Sequence, residues 1–281
     1  MVGEHTWRAR LVRLYLPLGI LLVVLMFPFY WMIVTSLKSN QELYNTQVMP
    51  LVIYAPTLTH YVSLLTQTHF LIWTVNTLLV ATVSTAISLV LGVMGAYPLA
   101  RMNFPGAALI ALAIAATYLV PQTLLFIPMA QMIYRLGLVD SLYAVILTYP
   151  TFLIPFCAWL LMGYFKGIPT ELEDAARIDG ASRFVAMIRV VLPLSIPGVL
   201  SAAIFSFTLS ENEFLYALIF LTKSYIRTVP VGAIAELIRG DIFFWGQLMA
   251  AAVLGSVPVA IIYSFFVEHY VAGLTAGAIK G

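Results

Sequence analysis

The sequence predicts an all-α polytopic membrane protein: six transmembrane helices, with a charged, water-facing pair of short helices between spans 4 and 5. Three observations predict it. Of the 281 residues, 62% are hydrophobic and only 9% charged, with a mean hydropathy of +0.99, which excludes a soluble globule. Apolar runs of about 20 residues recur, the length a helix needs to cross about 30 Å of hydrocarbon. The basic residues sort by side. With the N-terminus inside, cytoplasmic segments hold Arg8, Arg10, Arg13, Arg101, Lys166, Arg177, Arg183, Arg189 and Lys280. External ones hold only Lys38, Arg135, Lys223, Arg227 and Arg239, as the positive-inside rule requires.

Taken in order, the chain reads as one transmembrane domain. Arg8, Arg10 and Arg13 make a basic start that suits a cytoplasmic N-terminus. The first span covers about 14–36 and tolerates Pro17 and Pro28 as kinks. It is long and lacks a small-residue cleavage site, so it is expected to be retained rather than removed as a signal peptide. Residues 37–69 are polar and turn-rich (Ser39-Asn40-Gln41, Pro50, Pro56) and fit an external loop. The second span covers about 70–99, the third about 106–135 with Pro121 and Pro128 inside it, and the fourth about 142–164. The charged loop occupies about 168–193, the fifth span about 197–221, an external loop about 222–245 and the sixth span about 246–267.

The charged loop reads as helix, break, helix. Glu171, Glu173, Asp174, Arg177, Asp179, Arg183 and Arg189 crowd into this one stretch. Thr170 followed three residues later by Glu173 has the spacing of a capping box. Acids at the start of this run and Arg177 near its end suit the two poles of a helix dipole. Gly180 stands where a left-handed glycine ends a helix. In the second run, 182–191, Phe184, Met187, Ile188 and Val191 share an apolar face. Pro193 and Pro197 are expected to stop that helix and redirect the chain. The result is a knob on the cytoplasmic side.

Asp174-Ala175-Ala176, three residues, Gly180, nine residues, Val190, one residue and Leu192-Pro193 resemble the EAA loop (EAA-x3-G-x9-I-x-LP) of ABC importer permeases. Asp174 stands where Glu is usual and Val190 where Ile is usual. The likeness covers nearly all of the chain after the first span. Residues 76–81, 96–101 and 137–141, Asn212-Glu213-Phe214 and the ending GLTAGAIKG are similar to the carbohydrate branch, and most of all to the second permease subunit of maltose-type systems. The resemblance implies a coupling element made of Glu173, Asp174, Ala175, Ala176, Arg177, Asp179, Gly180 and Pro193 that docks on a cytoplasmic ATPase subunit. It implies that Lys280 and Gly281 reach into the ATPase dimer. It also implies that the loop 224–241, with Ser224, Arg239 and Asp241, meets an extracytoplasmic solute-binding protein. The implied assembly is a second permease subunit, two ATPase subunits and a binding protein in a prokaryotic inner membrane, both termini cytoplasmic, with a sugar as cargo. ATP and Mg would sit on the ATPase, and this chain would bind no cofactor.

Polar residues stand in the fifth span where oil is expected: Ser206, Thr208, Ser210, Glu211, Asn212 and Glu213. A carboxylate at that depth costs about 2.5–3.5 kcal/mol by insertion scales, so it must face protein or water. At about 100° per residue, Ser206, Ser210 and Glu213 share one face, Thr208 and Asn212 another, and Glu211 neither. Ser206, Ser210, Glu211, Asn212 and Glu213 are therefore candidates to line a solute path or a subunit interface, with plain helix-to-helix adhesion as the alternative. The related permeases often have Trp at the place of Glu211. In the external loop, Trp245 and its aromatic neighbours suit an interfacial belt.

Other classes fare worse. No GxxxxGK[ST] occurs, so the chain has no phosphate-cradling loop and must borrow its ATPase. Cys157 is the single cysteine, and His5, His60, His69 and His269 share no ligand spacing, which leaves no disulfide framework and no metal motif. A net charge of +2 is too small to argue for nucleic acid. An ion-coupled secondary transporter would show internal repeats and more intramembrane ions, and a membrane enzyme would need partners for Glu211 and Glu213. Within the importer class, another solute such as a polyol, glycerol phosphate or amino acid is the alternative to a sugar.

Overall fold

The computed structural model describes Trp7 and residues 11–278. Its helices, in chain order, are α1 (Val12–Leu37), α2 (Asn40–Leu43), α3 (Thr59–Gln67), α4 (Phe70–Arg101), α5 (Ala107–Tyr118), α6 (Gln122–Arg135), α7 (Leu142–Gly167) and α8 (Thr170–Ile178). There follow α9 (Arg183–Leu194), α10 (Ile196–Glu211), α11 (Leu215–Phe220), α12 (Val229–Leu237) and α13 (Trp245–Ala278). One short antiparallel hairpin, β1 (Ile238–Arg239) with β2 (Ile242–Phe243), stands between α12 and α13. The protein is thus an all-α polytopic membrane protein. Helices suit a solvent without water because each satisfies its own backbone N–H and C=O groups.

Among the described residues four helices are long and apolar enough to cross a membrane, and six spans result if each of two bent pairs counts as one. The pair α5–α6 bends by 92°. The cause is Pro121, which has no N–H to donate and disfavours helical backbone at Val120. The N–H groups of Leu119 and Val120 fall back on the carbonyls of Ala116 (3.1 Å) and Thr117 (3.2 Å). The pair α9–α10 bends by 79°. Here the second helix of the charged loop does not stop at Pro193 but runs through it to Leu194. A widened turn at Met187–Val191 precedes the proline, and the shifted hydrogen bonds there relieve its ring of the usual clash. The helix after it also ends early, at Glu211, and α11 is a separate piece.

By contact density the chain divides into two units, one comprising the residues up to Phe70 with Ala233–Val257, the other Leu71–Gly232 with the residues from Pro258. In the first unit, buried Lys38 organises the loop after α1. Its ammonium donates to the carbonyls of Met49 (3.2 Å) and Pro50 (2.8 Å) and pairs with Glu42 at 3.6 Å. The Glu42 carboxylate accepts from the N–H groups of Tyr54 and Ala55. Those bonds, Tyr54 foremost, hold its pKa below the ordinary carboxylate value. A buried cation is tolerable there because its donors are occupied.

The second unit holds the packed interior. One cluster gathers Val145, Tyr149, Leu153, Tyr216 and Phe220, with the rings of Phe152 and Tyr216 stacked at 6.4 Å. Another gathers Tyr97, Leu161, Phe165, Met187 and Val191. Lipid tails are as apolar as leucine, so contact between spans depends on close fit rather than on escape from water. Two glycines supply that fit. A Cβ on Gly92 would sit 2.6 Å from Cys157 Cβ, and one on Gly198 would enter the ring of Tyr164.

Candidate functional site

The knob between α7 and α10 is built by local rules except at one point. Helix α8 ends in a Schellman motif. Gly180 takes φ +94°, its N–H bonds Arg177 O at 3.1 Å, and the N–H of Ala181 bonds Ala176 O at 3.0 Å. The side chain of Ser182 then caps α9 by accepting from Val185 N at 3.3 Å. Helix α9 turns apolar side chains inward (Ala186, Met187, Val191), and both helices leave others in the open. Ile178 is 86% exposed and Phe184 61%, and Leu172 and Ile188 are exposed beside them. Asp174, Ala175, Arg177, Asp179, Gly180 and Pro193 are also on the surface, and Ala176 is half-buried. Asp174 and Arg177 pair at 3.2 Å, a solvated pair that contributes about 0–1 kcal/mol.

The exception is Glu173. The capping box expected of Thr170 and Glu173 does not form: Pro169 precedes the helix and no side chain caps it. Glu173 instead faces inward, buried, and accepts from the hydroxyl of Tyr97, while Arg101 Nε stands 3.6 Å from its other oxygen. The local pattern lost to partners 76 and 72 residues away in sequence, because a buried carboxylate needs a cation and donors more than a first turn needs one cap. The Tyr97 hydroxyl is also 3.2 Å from the carbonyl of Arg183, and the Tyr97 ring lies edge-on to Phe165 at 6.4 Å.

In α10, Ser206 and Ser210 are buried on one helical face, and Glu213, past the end of the helix and so not placed by helical spacing, is buried too. Ser206 Oγ meets Cys157 Sγ at 3.1 Å. Glu213 uses both carboxylate oxygens to cap α11, accepting from the N–H groups of Tyr216 (2.9 Å) and Ala217 (3.1 Å). Glu211 is half-buried and accepts from the amide of exposed Asn212 at 2.7 Å. Thr208 bonds the hydroxyl of Tyr263. The five residues expected to line a path therefore divide into a buried trio and a less buried pair, half-buried Glu211 and exposed Asn212.

Ser224 lies in a short turn of the second unit, where its carbonyl accepts from Trp73 Nε1 at 2.7 Å. Arg239 and Asp241 lie in the first unit, exposed at the hairpin, with the Arg239 guanidinium 5.6 Å from the ring centre of Phe244. Lys280 and Gly281 lie outside the described residues. Among the described residues no group of three or more His, Cys, Asp or Glu side chains is placed to hold a metal ion.

Two further polar centres escaped the sequence reading. The amide of Asn76 donates to the carbonyls of Tyr225 (3.1 Å) and Arg227 (3.0 Å). Asp140, with φ +60°, clasps the segment after α11. One oxygen accepts from Thr222 N (2.8 Å), Thr222 Oγ (2.7 Å) and Lys223 N (3.3 Å). The Thr222 hydroxyl foremost, then these N–H groups, hold the Asp140 carboxyl below its ordinary pKa. Only the oddity of an acid just before a serine cap signals this in the sequence.

No family model matches the chain. It is 40% identical to the sulfoquinovosyl glycerol transport system permease protein SmoH of Agrobacterium fabrum over 95% of this chain and 93% of that one. It is 36% identical to the trehalose/maltose transport system permease protein MalG of Thermococcus litoralis over 96% and 98%. The diacetylchitobiose uptake system permease protein DasC of Streptomyces coelicolor is 31% identical over 93% and 94%. Among solved structures, a bacterial ABC transporter involved in import of the acidic polysaccharide alginate superposes with a TM-score of 0.79 at 20% identity, covering 96% of this chain and 99% of that one. At that identity the superposition shows the fold alone.

Proposed function

The chain belongs to the permease subunits of ABC importers, in their carbohydrate branch, and from that premise we propose how it works and what it carries. It is one half of a solute path whose energy comes from a separate ATPase bound to the knob of α8 and α9. The observation that carries the reading is the knob itself: Ile178 and Phe184, large and apolar, stand open to solvent beside the charged Asp174 and Arg177. An exposed apolar patch with a charged rim is the composition of a docking surface. Closure of the ATPase dimer on ATP moves the docked knob, and the spans change from inward- to outward-facing. A loaded binding protein favours the outward state because it binds that state better.

The cargo is a glycoside or short oligosaccharide, the class named for the relatives, delivered by an extracytoplasmic binding protein that meets the loop 224–241 through Ser224, Arg239 and Asp241. The rest of the assembly is a second permease subunit and two ATPase subunits that hold ATP and Mg. Both termini face the cytoplasm, with Lys280 and Gly281 reaching toward the ATPase. Of the polar groups near the end of α10, the less buried pair Glu211 and Asn212 suits a solute path. The trio Ser206, Ser210 and Glu213 suits internal support, since all three are buried and Ser206 and Glu213 bond to groups inside the protein.

The test is co-purification and uptake. Ile178→Arg and Asp174→Lys, made separately in the assembled importer, are expected to lose the ATPase subunit while the permease still inserts and pairs. Retention of the ATPase by both variants refutes docking at the knob. Binding of trehalose, maltose and diacetylchitobiose to the cognate binding protein, measured by calorimetry, tests the cargo class.

A further inference from the structure

We propose that Tyr97, Arg101 and Glu173 form a latch that passes movement of the knob to the end of α4, with Glu173 as a positioning residue rather than part of the docking face. The inference rests on the knob being where the ATPase docks. Three observations carry it.

First, Glu173 is the one charged side chain among residues 170–191 that is buried. The carboxylate that the resemblance assigned to docking on another subunit is committed inward.

Second, its partners are a single structural end. Tyr97 and Arg101 are four residues apart on the last turns of α4, so they lie on one helical face. The Tyr97 hydroxyl touches both limbs of the knob, the carboxylate of α8 and the first carbonyl of α9. The side chain of Arg101 is 4% exposed and that of Glu173 11%, so water does little to screen the pair.

Third, the ion pair is incompletely closed. Arg101 Nε and Nη2 are buried without a hydrogen-bond acceptor among the described residues, and Nε lies 3.6 Å from the Glu173 oxygen. A hydrogen bond needs about 3.0 Å, so a shift of about 0.6 Å would convert attraction into a charge-assisted bond. Orphaned buried donors are costly, so closure of this pair is favourable. The observed separation is the slack grade of the latch, and displacement of α8 toward α4 selects the tight one. Sub-ångström changes at a packed contact are what two-state elements amplify.

The experiment uses hydrogen–deuterium exchange on the importer purified with its ATPase, with and without trapping by ATP and vanadate, so no solute need be known. In the unaltered protein, trapping is expected to change the exchange of the amides around 97–103. In Tyr97→Phe, which removes one oxygen from a packed ring, and in Glu173→Gln, that response is expected to be lost while amides of 170–180 still respond to the ATPase. A response at 97–103 that persists in both variants, or is missing from the unaltered protein, overturns the latch and leaves docking standing. Loss of the ATPase from either variant also overturns it, because the groups would then belong to the docking face. If the unaltered protein shows no ATPase-dependent protection at 170–180, docking itself fails and the latch falls with it.

Discussion

Gly180 offers the sharpest test of how the knob is made. Its φ of +94° is open to glycine, tolerable for asparagine and strained for other L-residues. A Cβ placed there would meet nothing within 4 Å, so any penalty comes from the backbone and none from collision. Holding an L-residue left-handed costs about 1–2 kcal/mol. The escape is to leave that conformation and give up the two bonds from Gly180 N and Ala181 N, at about 1 kcal/mol each. Both routes cap the loss near 2 kcal/mol, a fall of about 5- to 30-fold in the population of the native turn. Gly180→Asn should be close to neutral, Gly180→Ala intermediate and Gly180→Val worst, since β-branching adds to the strain. The assay is capture of the ATPase subunit from solubilised membranes, with exchange of the 180–181 amides as a local readout. If Gly180→Val captures ATPase as well as the unaltered chain, the Schellman turn does not set the geometry of docking. If Gly180→Asn is as damaging as Gly180→Val, bulk matters and the backbone argument is wrong.

Other expectations follow from the same structure. Gly198→Ala pushes a methyl group into the Tyr164 ring and should destabilise the detergent-solubilised protein by about 1–3 kcal/mol, read as a lower Tm, with partial recovery in the Gly198→Ala/Tyr164→Leu double variant. Asn76→Ala removes two side-chain bonds to the 225–227 segment, about 0.5–1.5 kcal/mol each, and should speed exchange of the neighbouring amides about tenfold or more. For Asp140 the folded pKa lies below the unfolded one, so its clasp contributes above the unfolded value of about 3.9 and is lost as pH falls through the folded value. Exchange of the Thr222 and Lys223 amides should therefore be independent of the clasp's charge from pH 5 to 8 and should accelerate in acid. Asp140→Asn should remove that acid step.

What could be read from the sequence was whatever depends on neighbours in the chain. Apolar runs gave the spans because a bilayer forces helices, and Gly180 gave the turn because its conformation excludes most other residues. The misreadings share a cause: a local pattern was outbid by a distant partner. Thr170 and Glu173 have capping-box spacing, yet the carboxylate was claimed by Tyr97 and Arg101. An i, i+4 Tyr and Arg at the end of an apolar run was the available signal, and nothing in it pointed to Glu173. Glu213 was legible as a buried acid but not as the cap of α11, because its role depends on where α10 ends. Pro121 and Pro128 both stand inside the third span, and only Pro121 breaks it. Which proline a helix absorbs depends on what packs beside it.

The bend at Pro121 leaves this subunit ill-suited to a solitary life in lipid. At about 1.5 Å per residue, α5 reaches about 18 Å and α6 about 21 Å, so neither crosses about 30 Å of hydrocarbon alone. Counted as one span, the pair places a junction of helix ends, whose backbone groups lack regular intrahelical partners, within the width of the bilayer. Tyr118, Leu119 and Val120 are exposed around it. Oil cannot solvate a bare carbonyl, at several kcal/mol apiece. A span broken in this way is stable where protein or water adjoins the corner.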